Sequence, residues 1–134
     1  MELRALGSTG IMISPLGLGT VKFGRDQQVK YPQPFKIPND AEMAHLLDMA
    51  TDLGINLLDT APAYGSSERR LGQLLPGPRD RWIIVSKVGE IFEHGKSRFD
   101  FGFDATVASV EQSLRTLKME YLDCVLVTVA SNPK

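Results

Sequence analysis

The chain has 134 residues, with 15 Lys and Arg against 16 Asp and Glu, and 43% of its residues are hydrophobic. Because the charges balance, no overall field would attract nucleic acid or an anionic membrane, and we predict neither as a partner. No apolar run approaches the length that spans a bilayer, no signal segment follows Met1, and Cys124 alone cannot form an internal disulfide, so a cytoplasmic location is expected. With two histidines and one cysteine, no metal site is predicted.

The first third of the chain predicts a hairpin, a strand and a long loop. Short apolar runs around a Gly-Ser-Thr-Gly turn predict a β-hairpin in residues 1–14. The stretch PLGLGT then predicts a short strand that ends at Gly19 and Thr20. Residues 22–39 show no periodicity and are predicted to form a loop, which at this length is usually functional or disordered.

A helix is predicted to begin at Asn39. Asparagine is a good N-cap, and Glu42 stands three residues later, as in a capping box. Apolar residues follow at helical spacing until Gly54 supplies the stop. The apolar run INLLDT after it predicts a buried strand.

A short second helix is predicted for residues 67–75. Its leucines are expected to face inward, whereas Arg69 and Arg70 are expected on a solvated face. The run WIIVSK that follows predicts a third strand, and its lack of alternation is typical of a strand covered on both faces.

The last part of the chain predicts an irregular segment, a helix and a strand. Residues 89–102 are expected to be irregular, with His94 as a loop residue without a catalytic role. Asp104 is a plausible cap for a third helix. That helix has an apolar stripe of Val107, Val110, Leu114 and Leu117. YLDCVLV then predicts a buried strand, in which Cys124 is a small buried hydrophobe.

Strands that alternate with helices predict parallel strands joined by right-handed crossovers, within one domain spanning residues 1–134. A dinucleotide-binding doubly wound sheet would show G-x-G-x-x-G after its first strand, but Lys22 occupies the third required position. Polar residues instead stand at the carboxyl ends of successive strands, namely Thr20, Asp59 and Lys87. A (β/α)₈ barrel collects its catalytic groups at that end.

Five stretches, in order, resemble the aldo-keto reductases: LGLGT, LLDTAPAYG, SERRLG, VSKVG and VEQSLRTLKMEYLDCVLV. The resemblance covers about residues 3–127 and is nearest to the bacterial sugar-dehydrogenase and general oxidoreductase branch. It implies an α/β fold that forms the first half of a TIM (β/α)₈ barrel, with four parallel strands, three helices and the hairpin of residues 1–14 capping the barrel bottom.

The resemblance also implies roles for particular residues. Tyr64 would donate a proton to the carbonyl of an aldehyde, ketone or sugar, Lys87 would favour release of that proton, and Asp59 would hold Lys87 in place. The implied cofactor is NADP, with its nicotinamide end near Gly19, Thr20 and Asp59. A structural alternative stays open, in which Asp59 and Lys87 form a plain ion pair and Tyr64 is a loop aromatic.

The chain departs from the family pattern at Thr128, where the family has a catalytic histidine. A complete barrel needs about 250 residues, so we expect a truncation after the fourth strand, with a divergent tail at residues 128–134. One base deleted from a His-Ser-Gly codon run would produce the observed Thr-Val, which suggests a frame-shifted gene. The alternative function is therefore an inactive remnant or a non-enzymatic interaction module, and exposed sheet edges suggest a homodimer.

Overall fold

The computed structural model describes residues 1–128, so the predicted tail lies outside it except for Thr128. In chain order the strands are β1 (Arg4–Ala5), β2 (Met12–Ile13), β3 (Gly17–Gly19), β4 (Leu57–Asp59), β5 (Ile83–Val88), β6 (Glu90–Glu93), β7 (Lys96–Phe99) and β8 (Cys124–Val127). The helices are α1 (Asp40–Asp52), α2 (Ser67–Leu74) and α3 (Phe103–Leu117).

The main sheet has four parallel strands in the order β3-β4-β5-β8. Helix α1 follows β3, α2 follows β4, and α3 follows β5 after an intervening hairpin. The predicted alternation of strands and helices in an α/β fold is therefore confirmed. In register, Gly19 lies beside Asp59, and Asp59 lies beside Val85. The carboxyl ends of β3, β4 and β5 therefore meet along one rim of the sheet.

The capping box predicted at Asn39 is present. The Glu42 amide donates to Asn39 Oδ1 at 2.9 Å, and the Asn39 amide donates to Glu42 Oε2 at 2.8 Å. The first backbone amides of a helix have no acceptor within the helix, and these two bonds supply acceptors for two of them. Gly54 follows the helix with φ +76°, the left-handed conformation that ends it as expected.

The hydrophobic core lies between the helices and one face of the sheet. Its buried members are Phe23, Met43, Leu47, Ala50, Leu58, Leu71, Trp82, Ile84 and Leu117. Trp82 is fully buried, and its indole N–H donates to the Pro76 carbonyl at 2.8 Å. Because strand side chains alternate, the neighbours of Leu58 and Ile84 lie on the opposite face, which carries Asp59 and Lys87.

The residues predicted as an N-terminal hairpin form β1 and β2, which pair antiparallel. Asn56, which precedes β4, accepts from the Ser14 amide at 2.7 Å and donates to the Met12 carbonyl at 3.0 Å. These bonds fix the hairpin at the amino end of the sheet. Whether it caps a barrel there stays a prediction.

The prediction that residues 89–102 are irregular is wrong. Strands β6 and β7 form an antiparallel hairpin in which Glu93 pairs with Lys96. The two residues between them, His94 and Gly95, have φ of 52° and 74°. Two successive positive φ angles are typical of a type I′ turn, whose twist matches that of the flanking strands.

The start of α3 also differs from the prediction. Gly102 is the N-cap, and Asp104 lies in the first turn of the helix. Val107 is exposed although it was assigned to the apolar stripe, because α3 is buried only in its second half, at Ser113 and Leu117. Cys124 is only partly buried, because β8 is an edge strand of the sheet.

Among residues 1–128, no strand pairs with the outer edges of β3 and β8. Large apolar side chains are exposed on β8, and Val127 is 64% accessible. No helix within this range has the length and apolar character needed to cross a membrane.

Candidate active site

An ion pair joins the carboxyl ends of β4 and β5. Lys87 Nζ lies 2.6 Å from Asp59 Oδ1 and donates to the Thr60 carbonyl at 3.1 Å. The Lys87 side chain is 19% exposed and that of Asp59 is 42% exposed, so water reaches the pair. Asp59 lies beside Val85 in register, so Lys87 is two residues further along β5, and its long side chain reaches back to the Asp59 carboxylate.

The Tyr64 ring lies next to the lysine of this pair. Lys87 Nζ is 4.9 Å from the centroid of the Tyr64 ring, which is within the range of a cation–π contact. Among residues 1–128, no hydrogen bond joins the ammonium to the phenol. The structure therefore brings Asp59, Tyr64 and Lys87 into one cluster, and their catalytic roles stay predictions.

The turn that carries Tyr64 is held by close backbone packing. Gly65 has φ +59°, and a Cβ placed on it would lie 2.0 Å from the Gly24 carbonyl oxygen. A Cβ on Gly24 would lie 2.2 Å from the Tyr64 carbonyl oxygen. The two segments can approach this closely only because both residues are glycine.

Of the other predicted cofactor contacts, Thr20 and Gly19 have different environments. Thr20 is fully buried; its hydroxyl donates to the Asp59 carbonyl at 2.9 Å and accepts from Ser67 Oγ at 2.8 Å. That hydroxyl is occupied in tying β3 to β4 and α2. Gly19 is exposed, and a Cβ there would meet nothing within 4 Å. The sheet beside Asp59 is therefore open.

A cleft of about 630 Å³ opens at the same rim and is lined by Tyr64 and Thr128, among others. Thr128 is half-buried, and its amide donates to the Val88 carbonyl at 2.9 Å. Tyr31 from the long loop and Ser97 from the β6–β7 hairpin form other parts of the wall. Asp59 and Lys87 lie outside the lining of this cleft.

Arg70 was predicted to be solvated, which is wrong. It is buried and donates to Asp40 Oδ1 at 2.9 Å and to the Phe23 and Pro38 carbonyls at 2.5 and 2.7 Å. These bonds tie both ends of the long loop to α2. Arg69 is exposed, as expected. Adjacent arginines with opposite environments cannot be told apart by residue type alone.

Glu68 is a buried acid that the sequence reasoning missed. Ser86 Oγ donates to its Oε1 at 2.7 Å, and Ser113 Oγ donates to its Oε2 at 3.1 Å. Burial raises the pKa of the Glu68 carboxyl, and the two hydroxyls and the charge of Lys87 oppose that rise only in part. Its partners come from β5 and α3, so no local sequence pattern indicates it.

Glu68→Gln is expected to stabilise the fold at neutral pH and to change how stability depends on pH. Since the folded protein holds the Glu68 proton more tightly than the unfolded chain, the wild type loses stability relative to the variant as pH rises through the raised pKa. Below the ordinary carboxyl pKa, about 4.3, the two chains should converge. Urea unfolding of the wild type and the variant, from below the ordinary carboxyl pKa to neutral pH, measures the difference in their free energies of unfolding.

The matched control for this prediction is Glu111→Gln, which removes an exposed acid from α3. Its effect should be small at every pH, because exposed ion pairs contribute little. A Glu68→Gln difference that stays constant with pH, or that favours the wild type at high pH, would contradict the assignment.

The model of the aldo/keto reductase family matches residues 15–131. The L-galactose dehydrogenase of Arabidopsis thaliana is 36% identical over 128 residues, an alignment covering 92% of this chain and 36% of that protein.

Two solved structures are similar in fold as well as in sequence. An aldo-keto reductase from Pseudomonas aeruginosa is 56% identical with a TM-score of 0.87, over 97% of this chain and 48% of that one. The holo form of the aldo-keto reductase AKR11C1 from Bacillus halodurans is 30% identical with a TM-score of 0.78, over 95% and 40% of the two chains. The chain thus spans less than half the length of these proteins, and its sheet and helices match half of their barrel, as predicted.

Proposed function

Because the chain belongs to the aldo/keto reductase family, we propose that the cluster of Asp59, Tyr64 and Lys87 is the catalytic site of an NADP-dependent oxidoreductase. The reaction would transfer hydride between the nicotinamide and the carbonyl of an aldehyde, ketone or sugar. The observation that carries this proposal is the Lys87 ammonium, which lies 2.6 Å from Asp59 Oδ1 and 4.9 Å from the centroid of the Tyr64 ring. The L-galactose dehydrogenase similar to this chain supports a sugar as one class of substrate.

The residues present fit the nicotinamide end of such a cofactor. Gly19 has no side chain, and a Cβ placed on it would meet no atom within 4 Å, so a flat ring could approach the strand there. Asp59 lies directly beside Gly19 in register, and one of its carboxylate oxygens is bonded to Lys87. We assign the cofactor contact to Gly19 and Asp59. Thr20 would act by holding their strands together.

When bound, the cofactor would supply hydride to the carbonyl carbon. The Tyr64 phenol would give its proton to the carbonyl oxygen, which completes the alcohol and leaves a phenolate. Lys87 would stabilise that phenolate through its charge, and Asp59 would keep the ammonium oriented toward the ring. General acid catalysis of this kind requires the donor to lie within hydrogen-bond reach of the substrate oxygen.

A second candidate function rests on Thr128. This residue shares the cleft with Tyr64, where the family resemblance implies a histidine. Its hydroxyl can donate one hydrogen bond to a carbonyl oxygen, but it has neither the reach nor the titration of an imidazole. A chain that binds no cofactor would be a remnant or an interaction module.

Titration of the purified chain with NADPH, followed by nicotinamide fluorescence, separates the two candidates. We expect a dissociation constant tighter than about 10 μM, equivalent to about 7 kcal/mol. Gly19→Val should abolish binding without unfolding the chain, since its added methyl groups extend into open space. No change in fluorescence at millimolar NADPH would leave only the second candidate.

We further propose that a second copy of this chain covers the exposed edges. Open parallel edges at β3 and β8 favour pairing with another strand, and a twofold axis would close both edges at once. Sedimentation equilibrium showing a monomer at all concentrations would exclude this partner.

A further inference from the structure

Arg25 lies almost buried at the rim, with only 7% of its side chain exposed. Its guanidinium donates to four acceptors within its surroundings. These are the Gln27 carbonyl at 2.9 Å, the Ala63 carbonyl at 3.0 Å, Glu90 Oε1 at 3.1 Å and the Gln28 carbonyl at 3.3 Å. The guanidinium carbon also lies 3.7 Å from the centroid of the Phe92 ring.

These contacts come from three different segments. Gln27 and Gln28 belong to the loop after β3, Ala63 to the turn after β4, and Glu90 begins the hairpin that follows β5. Ser97 Oγ also donates to Glu90 Oε1, at 2.6 Å, so the second hairpin strand is included. One side chain thus joins three successive connections at the carboxyl end of the sheet.

The joined segments also determine where Tyr64 lies. Ala63 directly precedes Tyr64, and Gly24, which directly precedes Arg25, packs against the Tyr64–Gly65 backbone. The Ser66 amide donates to the Gly24 carbonyl at 3.4 Å. The Tyr64 turn is therefore held from both sides by the segment that carries Arg25.

We propose that Arg25 is a positioning residue that holds the Tyr64 ring over Lys87. Its charge is paired with Glu90 and four of its five N–H groups donate to protein acceptors, so we assign it a positioning role and not a substrate contact. That the position of the Tyr64 ring matters for catalysis rests on the proposed function. That Arg25 sets this position does not depend on the proposed function. The alternative is that Arg25 contributes only to stability.

The two alternatives predict different effects of Arg25 on the contact between the Tyr64 ring and the Lys87 ammonium. The full chain is produced with ¹³C-labelled tyrosine rings, and Tyr64→Phe identifies the Tyr64 signal among the three tyrosines. In the otherwise unchanged chain, Lys87→Met should shift that signal, because an ammonium 4.9 Å from the ring centroid is lost. In an Arg25→Met background, the same Lys87→Met change should shift it far less. The comparison is a double-mutant cycle with a spectroscopic readout.

The matched control is Arg79→Met. Arg79 makes a similar network at the amino end of β5: it donates to Asp123 Oδ2 at 2.6 Å and to the Trp82 and Tyr121 carbonyls. Its removal should destabilise the chain comparably and move the Tyr121 signal, but the effect of Lys87→Met on Tyr64 should persist. Glu90→Gln, which keeps the Ala63 bond, should also preserve that effect.

If Arg25→Met does not fold, Arg25→Lys tests the same point, because an ammonium cannot reach all four acceptors and should weaken the effect partially. Persistence of the full Lys87→Met effect in the folded Arg25 variant would overturn the proposal, as would its absence from the chain with Arg25 intact. Failure to bind NADPH would count against the proposed function alone, because this experiment contains no cofactor.

Discussion

Replacing Tyr64 with phenylalanine is expected to lower the rate of carbonyl reduction by about 10²- to 10⁴-fold, the usual contribution of a general acid. The ring and its contact with Lys87 would remain, so only the transferable proton is removed. The measurement is kcat for an NADPH-dependent reduction by a chain whose cofactor binding has been established. Cofactor affinity should change little, because the role proposed for Tyr64 is contact with the substrate oxygen and not with the cofactor.

Tyr121→Phe is the control for this substitution. Tyr121 is exposed and lies near Arg79, at the opposite end of the sheet, so its hydroxyl should not affect turnover. A Tyr64→Phe chain with nearly unchanged kcat would show that another group, such as the Thr128 hydroxyl or water, delivers the proton.

Gly65→Ala is expected to destabilise the fold by about 3 kcal/mol. A left-handed conformation costs a non-glycine residue about 1–2 kcal/mol, and forcing a methyl group into a packed site typically costs about 1–3 kcal/mol. Both apply here, since φ is +59° and the added Cβ would lie 2.0 Å from the Gly24 carbonyl oxygen. Urea unfolding measures the loss.

The chain supplies a matched control in Gly7. Its φ is +56°, and a Cβ there would meet nothing within 4 Å. Gly7→Ala should therefore cost only about 1–2 kcal/mol, from the backbone conformation alone. Equal losses for the two variants would mean that the turn relaxes without strain, and the close packing of Gly24 on Gly65 would then not fix Tyr64.

The features that local patterns specify were predictable. The capping box at Asn39 needs only two residues three positions apart, and the alternation of apolar strands with amphipathic helices indicated four parallel strands. The meeting of Asp59 and Lys87 followed from the same reasoning, because parallel strands in register bring their carboxyl ends together.

The remaining features depend on contacts distant in sequence. Glu68 and Arg70 are buried and bond to Ser113 and Asp40, which lie on other helices. Arg25 lies in a stretch without periodicity, and nothing local shows that Ala63 and Glu90 surround it. The β6–β7 hairpin is a different case, because the His94-Gly95 pair is a recognisable turn signal. The charged residues around this pair are typical of a loop, and the segment was therefore predicted to be irregular.

Trp82 gives the chain a built-in optical reporter. It is the one tryptophan in the sequence, and its indole is fully buried with its N–H bonded to Pro76. It precedes β5, whereas Lys87 lies near the other end of that strand, about 16 Å away at about 3.3 Å per residue. A dihydronicotinamide at the rim would absorb the light that this indole emits, so energy transfer could signal an occupied cofactor site without a label.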